Sequence, residues 1–450
     1  MSLKNHNIRD QEIISGWGLY PRVRVRKEKP KSLNELKNLL LTDSLIARGN
    51  GRSYGDSAIN KVNTIDMRNF NRFLNFDKEK GMVTVEAGIL LKDIIEILLP
   101  KGWFPPVTPG TKYVTIGGMV ASDVHGKNHY KNGTFSKYIK WIEIINNNGE
   151  IIRCSREENN ELFFWTIGGM GLTGIILKVA FFLKPVKTAW IKQRKLVGNN
   201  IDQTLNLFES NKDSTYLVAW IDCYSRGNSL GRSILFLGEH AEICDLKNFY
   251  KKYPFKNIKK KKITVPIFFP TFVLSNLSVK IFNSLNFFFS KITKEKKIVD
   301  WDTFFYPLDK ILSWNKIYGS KGFAQFQCVF PLSKSKEAII ELLDFISKSK
   351  SSSFLAVLKR FGKHKTRFSF PREGYSLALD FPINKENLIL MNCLDEITIK
   401  YGGRFYLAKD SRMKREIFEK SDVRIKNFRA FRKNELKRHF RSCQSDRFNI

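Results

Sequence analysis

The chain has 450 residues and a formal net charge of +34, from 77 Lys+Arg against 43 Asp+Glu, with 42% hydrophobic residues, 28 glycines and 14 prolines. That length exceeds a small stapled module and allows about two or three cores, and the composition excludes a disordered or fibrous chain. The charge points to an anionic partner or surface (phospholipid, nucleic acid or a phosphorylated small molecule), with a compositional bias toward Lys, Asn, Ile and Phe contributing to it.

In chain order, residues 31–46 predict a short helix running into a strand, with Pro30 and Ser32 at its start. ARGNGRSYGDSA, 47–58, is a glycine-rich turn. Strands are predicted over Asn63–Met67 and Met82–Glu86, and a helix over Gly88–Leu99, ended by Pro100 and Gly102. A second glycine-rich segment, PPVTPGTKYVTIGGMVASDVHGKNH, spans 105–129. Strands IKWIEIIN and IIRC flank a turn at Asn147–Gly149, and a third glycine cluster occupies 168–183. This style stops near Lys184–Pro185. Beyond it, LVAWIDC (217–223), FAQFQCVFP (323–331), FLAVLKRFG (354–362) and YSLALDFP (375–382) read as strands, and KEAIIELLDFISKS (336–349) as a helix. A second α+β domain follows from that alternation. Residues 411–450 are partly helical and basic, with 13 Lys or Arg against 5 Asp or Glu.

The six cysteines are scattered without a CxxC, so neither a disulfide framework nor a zinc site is expected, and the compartment reads as reducing. The start, MSLKNHNIRDQEIISGWG, has no signal-peptide core, and no apolar run is long enough to span a bilayer. Between 251 and 297, basic blocks KKYPFKNIKKKK and SKITKEKK bracket a Phe-rich stretch broken by Pro266, Pro270, Asn276 and Lys280. That pattern suits a segment lying on an anionic membrane surface. The expected location is cytoplasmic, peripheral on the inner face of the cell membrane.

No Rossmann GxGxxG between strand and helix and no P-loop is present. Three separate glycine-rich loops could instead wrap an elongated phosphate-bearing cofactor, because glycine lets backbone N–H groups approach a ligand and form anion-binding nests.

The order GW (16–17), ARGNGRSYGDSA, PGTKYVTIGGMVASDVHGKNH (109–129) and GGMGLTGII (168–176) resembles flavoenzymes of the vanillyl-alcohol-oxidase type. FFYPLD (304–309), QFQ (325–327), LKRFG (358–362), ALDFP (378–382) and GGRFYLAKD (402–410) extend the likeness, within that family, to the decaprenylphosphoryl-β-D-ribose oxidases. The resemblance implies an α+β fold: a PCMH-type two-part FAD-binding domain (1–195 and 405–450) around an antiparallel-sheet substrate, or cap, domain with helices (196–404). It implies FAD contacts from Ala47, Arg48, Gly49, Asn50, Gly51, Arg52, Ser53, Tyr54, Gly55, Asp56 and Ser57. Further contacts would come from Gly110, Thr115, Ile116, Gly117, Gly118, Ser122, Asp123, Val124, His125, Ile176 and Tyr406. Residues 47–58 hold no histidine for a covalent tether, so non-covalent FAD is expected.

The implied reaction is FAD-dependent oxidation of a sugar hydroxyl, at C2 of the ribose in a polyprenylphosphoryl pentose. A separate NAD(P)H-dependent keto-sugar reductase would complete an epimerisation toward arabinose. Lys409 is the group expected at the reacting hydroxyl, either as a neutral base or as a cation stabilising an alkoxide. Lys359 would face a phosphate. Gln325 and Gln327, at i and i+2, share one strand face and suit a polyol. His125 and Lys127 would stand at the flavin–substrate junction with Tyr54, and Tyr306 and Trp220 would wall the sugar pocket. The chain departs from the family where Ala378 replaces an active-site cysteine, Ser376 an asparagine and Val218 a serine; this leaves the sugar open. An aldonolactone or another sugar alcohol is the alternative substrate. A nucleic-acid-binding protein is a remote alternative, for no recognisable module accompanies the charge, and no specific nucleic acid is expected.

Overall fold

The computed structural model describes residues 11–256, 260–349, 351, 353, 355–436 and 438–450. Asn257, Ile258 and Lys259 of the first basic block, and Phe354 at the start of a predicted strand, lie outside the described residues.

The first part of the chain builds two sheets. One is four-stranded and mixed, in the order Gln11–Ile14, Val23–Glu28, Thr64–Asp66, Ile46–Arg48. The other is antiparallel, in the order Phe73–Asp77, Met82–Glu86, Ile175–Phe182, Ile139–Ile145, Ile151–Ser155. The helix Leu33–Leu39 begins where Ser32 accepts the Glu35 N–H at 3.2 Å, as the sequence leads one to expect. The second helix runs Leu91–Leu98 rather than from Gly88. The Gly88 N–H is held by the Phe70 carbonyl at 2.8 Å, which keeps that residue out of the helix. Pro100 and the left-handed Gly102 end it as expected.

The second part is one antiparallel sheet of eight strands, in the order Lys296–Asp300, Trp190–Gly198, Ser233–His240, Tyr216–Ile221, Ala356–Phe361, Gly374–Pro382, Phe323–Pro331, Arg404–Phe405. The expected domain boundaries at 195/196 and 404/405 therefore both fall inside strands of this sheet. Trp190–Gly198 pairs without a break with Ser233–His240 and Lys296–Asp300, past the point where the glycine-rich style ends.

Alternation divides the sheet's two faces. Leu217, Ala219, Leu358, Leu377, Leu379, Phe326 and Cys328 are buried on one face beneath the helices Ile201–Ser210, Ser335–Lys348 and Lys385–Lys400. On the other face Gln327 stands opposite Ala378, Ala378 opposite Val357, and Val357 opposite Trp220. Gln325 stands opposite Asp380, and Lys359 opposite Ser376. Opposed residues share a face, so a polar row faces the glycine loops.

The tail returns to the first part. Phe440 pairs with Leu45, Cys443 N–H donates to Ile59 O at 2.7 Å, and Arg447 in the helix Cys443–Phe448 pairs with Asp56.

Candidate active site

The first glycine loop is threaded through its neighbours by backbone bonds. Trp17 N–H donates to Ser53 O (2.8 Å), Gly18 N–H to Tyr54 O (3.0 Å), Phe323 N–H to Gly18 O (2.8 Å) and Tyr54 N–H to Ala408 O (2.9 Å). The approach is so close that a Cβ at Gly55 would collide with the Asp410 carbonyl. This is the physical reason for GW and GDS in the sequence: they let loops from four regions of the chain meet.

Whether these loops suit FAD can be judged from their donors. Gly51 has φ +62°, and among the described residues the amides of Gly51, Arg52 and Ser53 have no protein acceptor. Arg52 Nε is buried without a partner, its guanidinium lying over Trp17 (4.1 Å) and Tyr113 (5.2 Å). Open space meets a Cβ built at Gly110. His125 is buried with Gln327 Nε2 3.3 Å from its Nε2, and its Nδ1 has no partner among the described residues. Unpaired N–H donors beside an arginine and an aromatic wall suit a pyrophosphate and a flat ring system, so the residues present fit FAD.

Other residues of the expected contact set are engaged with protein. Arg48 donates to Ser15 O (2.7 Å) and Ala58 O (3.4 Å), and Asn50 to Tyr113 O (2.8 Å). Thr115 Oγ1 caps the helix Ile116–Ala121 by accepting the Gly118 N–H, while the Gly117 N–H binds Ala87 O (2.7 Å). Ile116, Val124 and Ile176 are core side chains. Asp123 accepts the Ser136 N–H at 3.1 Å and faces His364 Nε2 at 3.4 Å. Tyr406 OH donates to Ser122 O at 3.1 Å, and its ring stacks on Phe370 at 4.7 Å. Ala47 lies in the Ile46–Arg48 strand, Gly49 packs on Thr115, and Asp56 and Ser57 are buried beside the tail.

The sequence places Lys409 on a strand, and the structure corrects this. The strand covers only Arg404–Phe405, and Lys409 stands in a turn closed by its N–H to Tyr406 O at 2.9 Å. The turn brings its Nζ to 3.6 Å from the centroid of the Tyr54 ring. Lys127 donates to the Phe304 carbonyl and lies over that ring at 4.4 Å. Burial pulls the Lys127 ammonium down to about 7, with the Lys359 charge adding to the fall, and burial brings Lys359 down to about 8. For Lys409 burial again lowers the value; Asp380 opposes and Lys359 assists. Burial, with Lys359 next, keeps His125 neutral.

Gln327 links His125 to Ser376, whose Oγ lies 3.4 Å away, and Gln325 donates to Asp380 Oδ1 at 2.5 Å. Trp220 enters the same sheet row through Val357. Tyr306 is buried near Lys112 (5.7 Å) and Trp301 (6.0 Å). The residues that motif reading overlooked are Asp380, Tyr318 and His364. Asp380 is two positions past Ala378 on the same face, which was the available signal.

The chain matches the family described as FAD binding domain over residues 30–155. It is 35% identical over 395 residues to the decaprenylphosphoryl-beta-D-ribose oxidase of Mycolicibacterium smegmatis, covering 87% of this chain and 85% of that protein. It is 30% identical over 190 residues to mouse L-gulonolactone oxidase, 40% of this chain and 43% of that one. Among solved structures it resembles a single-residue variant of the Physcomitrella patens protein BBE-like 1, with a TM-score of 0.67 at 16% identity over 95% of this chain and 92% of the other, a likeness of fold.

Proposed function

The chain belongs to the FAD-binding oxidoreductase family of decaprenylphosphoryl-β-D-ribose oxidase, and from that premise we propose that it oxidises a sugar hydroxyl, at C2 of the ribose, in a polyprenylphosphoryl pentose. One observation carries the reading: Lys359, opposite Ser376, shares a sheet face with Gln325 and Gln327, and Gln327 meets the buried His125 at 3.3 Å. A lysine on that face suits a phosphate, and two amides on one face suit a polyol. Bound FAD supplies the acceptor for the hydride leaving carbon.

In this reading the chain's own groups bind and orient the sugar and move the proton. Lys409 Nζ, lowered by burial, takes the hydroxyl proton when neutral, and Lys359 holds the phosphate. His125, neutral, offers Nδ1–H to the sugar or the cofactor edge. The keto product then requires a separate NAD(P)H-dependent reductase for net epimerisation.

We also propose a cytoplasmic enzyme resting on the inner face of the membrane. No described helix is long and apolar enough to cross a membrane. The helix Asn276–Ile292 supports the reading because its outer stripe is apolar: Leu277 (67% exposed), Ile281, Leu285, Phe288, Phe289 and Ile292 (64%). Its inner face is Val279, Asn283 and Phe287, with Asn283 Nδ2 donating to the buried Asp222 at 2.8 Å. An apolar stripe on the outer face departs from a surface helix's ordinary order. Exposed Lys291, Lys294, Lys296 and Lys297 adjoin it.

The test is substrate choice. Under anaerobic mixing, a short-chain prenylphosphoryl ribose should bleach the flavin and a soluble aldonolactone should not; bleaching by the lactone alone would contradict the reading.

A further inference from the structure

We propose that Asp380 is the positioning residue of this site, acting as the counter-charge of Lys409 and fixing the amide of Gln325; this rests on the sugar-oxidation reading above. Asp380 is 0% exposed. A buried carboxyl needs donors, and it has two from side chains: Gln325 Nε2 at 2.5 Å and Tyr318 OH at 3.3 Å. Its backbone N–H donates to Ser353 Oγ at 3.0 Å. Among the described residues no Lys or Arg forms an ion pair with it; burial raises its carboxyl to about 7, and the Gln325 bond, the Lys409 charge and the Tyr318 bond oppose that rise.

Lys409 is held by the first loop, through the Tyr54 ring and the Ala408–Tyr54 backbone bond. Tyr54 meets Phe323 edge-on at 5.3 Å, and Phe323 stacks on Tyr318 at 4.2 Å. The two ends of the cluster are thus fixed to one aromatic stack. A carboxylate takes only donors, so it turns the NH2 of Gln325 toward itself and leaves Oε1 as that side chain's acceptor for a sugar hydroxyl.

The charged and titratable groups facing Lys409 are Asp380 from the sheet, Lys359 from the adjacent strand, Tyr54 from the first loop and His125 from the second. Those facing Asp380 are Lys409, Tyr318 and Tyr54. Removing the carboxylate removes the one attraction that favours protonated Lys409.

Two measurements test this. The first needs no substrate: a thermal double-mutant cycle of Asp380→Asn, Lys409→Met and the double variant, on FAD-loaded protein. Coupling predicts non-additive melting shifts, by about 2 °C or more; additive shifts would overturn the proposal. The second is the pH profile of flavin reduction by a short-chain prenylphosphoryl ribose. The limb that Lys409→Met abolishes should move to lower pH in Asp380→Asn, by ~1 pH unit, with a raised KM from the freed Gln325 amide. A uniformly slower rate with an unmoved limb would overturn it and leave Asp380 as packing. Should Asp380→Asn not fold, Tyr318→Phe takes its place and should move the limb the same way by less; an unmoved limb again overturns the proposal. Wild-type protein inert to the prenylphosphoryl ribose would contradict the substrate reading, while the melting cycle would still decide the coupling.

Discussion

Arg447, in the helix Cys443–Phe448, donates to Asp56 of the first glycine loop at 2.8 Å, and its other terminal nitrogen reaches Asp410 at 2.9 Å. One guanidinium ties together the loop of the N-terminal part, the turn that carries Lys409 and the C-terminal helix. Burial raises the Asp56 carboxyl to about 6 even with Arg447 opposing. Arg447→Met should leave two buried carboxylates without their partner and cost about 3–5 kcal/mol. The expected outcome is a lower melting temperature and weaker FAD retention, read by thermal melts with and without added FAD.

Lys359 has a stability signature. Its folded value of about 8 lies below the ordinary lysine value of 10.5. The folded state therefore binds fewer protons than the unfolded chain between those two pH values, and stability rises with pH across that window. Below about 8 the full burial penalty applies; above about 10.5 it is gone. Lys359→Met should thus raise the stability at pH 7 by about 1–3 kcal/mol, read as a higher melting temperature, and the gain should shrink at higher pH. The same variant should weaken substrate binding, which a KM measurement checks.

Ala378 stands between Gln327 and Val357 on the polar sheet row, where the resembled oxidases carry a cysteine. Reagents that act by attack of that thiol should leave this protein unmodified, seen as an unchanged intact mass. Ala378→Cys should gain a single adduct, since the position is partly exposed.

The outer stripe of the Asn276–Ile292 helix should bind anionic vesicles at low salt. Ile281 and Phe288 are 51% and 57% exposed, so replacing both with Asp should abolish flotation without disturbing the fold. Unchanged flotation would assign binding to the lysines alone.

Local pattern made much of this readable. Strand-like patterning located Met82–Glu86 and Phe323–Pro331 at their observed bounds; in the first, burial follows the alternation, and in the second both faces are covered. It also placed Gln325 and Gln327 on one face. What escaped was non-local. Lys409 reaches Tyr54 because a turn, not a strand, carries it, and the closing bond to Tyr406 leaves no trace in RFYLAKD. Asp380 acquires meaning only from Tyr318 and Gln325, distant in the chain. The His364–Asp123 contact joins a loop without a motif to the second glycine segment. The Asn283–Asp222 pin, which holds the inner face of the 276–292 helix, was not legible either.

The most direct measurement follows the flavin itself: anaerobic stopped-flow of the FAD-loaded protein against a short-chain prenylphosphoryl ribose, with Lys409→Met alongside and FAD recovered after acid precipitation. The account predicts a yellow protein whose flavin bleaches on mixing, a variant slower by ~10²–10⁴-fold, and FAD released into the supernatant. Protein that stays colourless after incubation with excess FAD would contradict it, as would a Lys409→Met variant reduced at the wild-type rate.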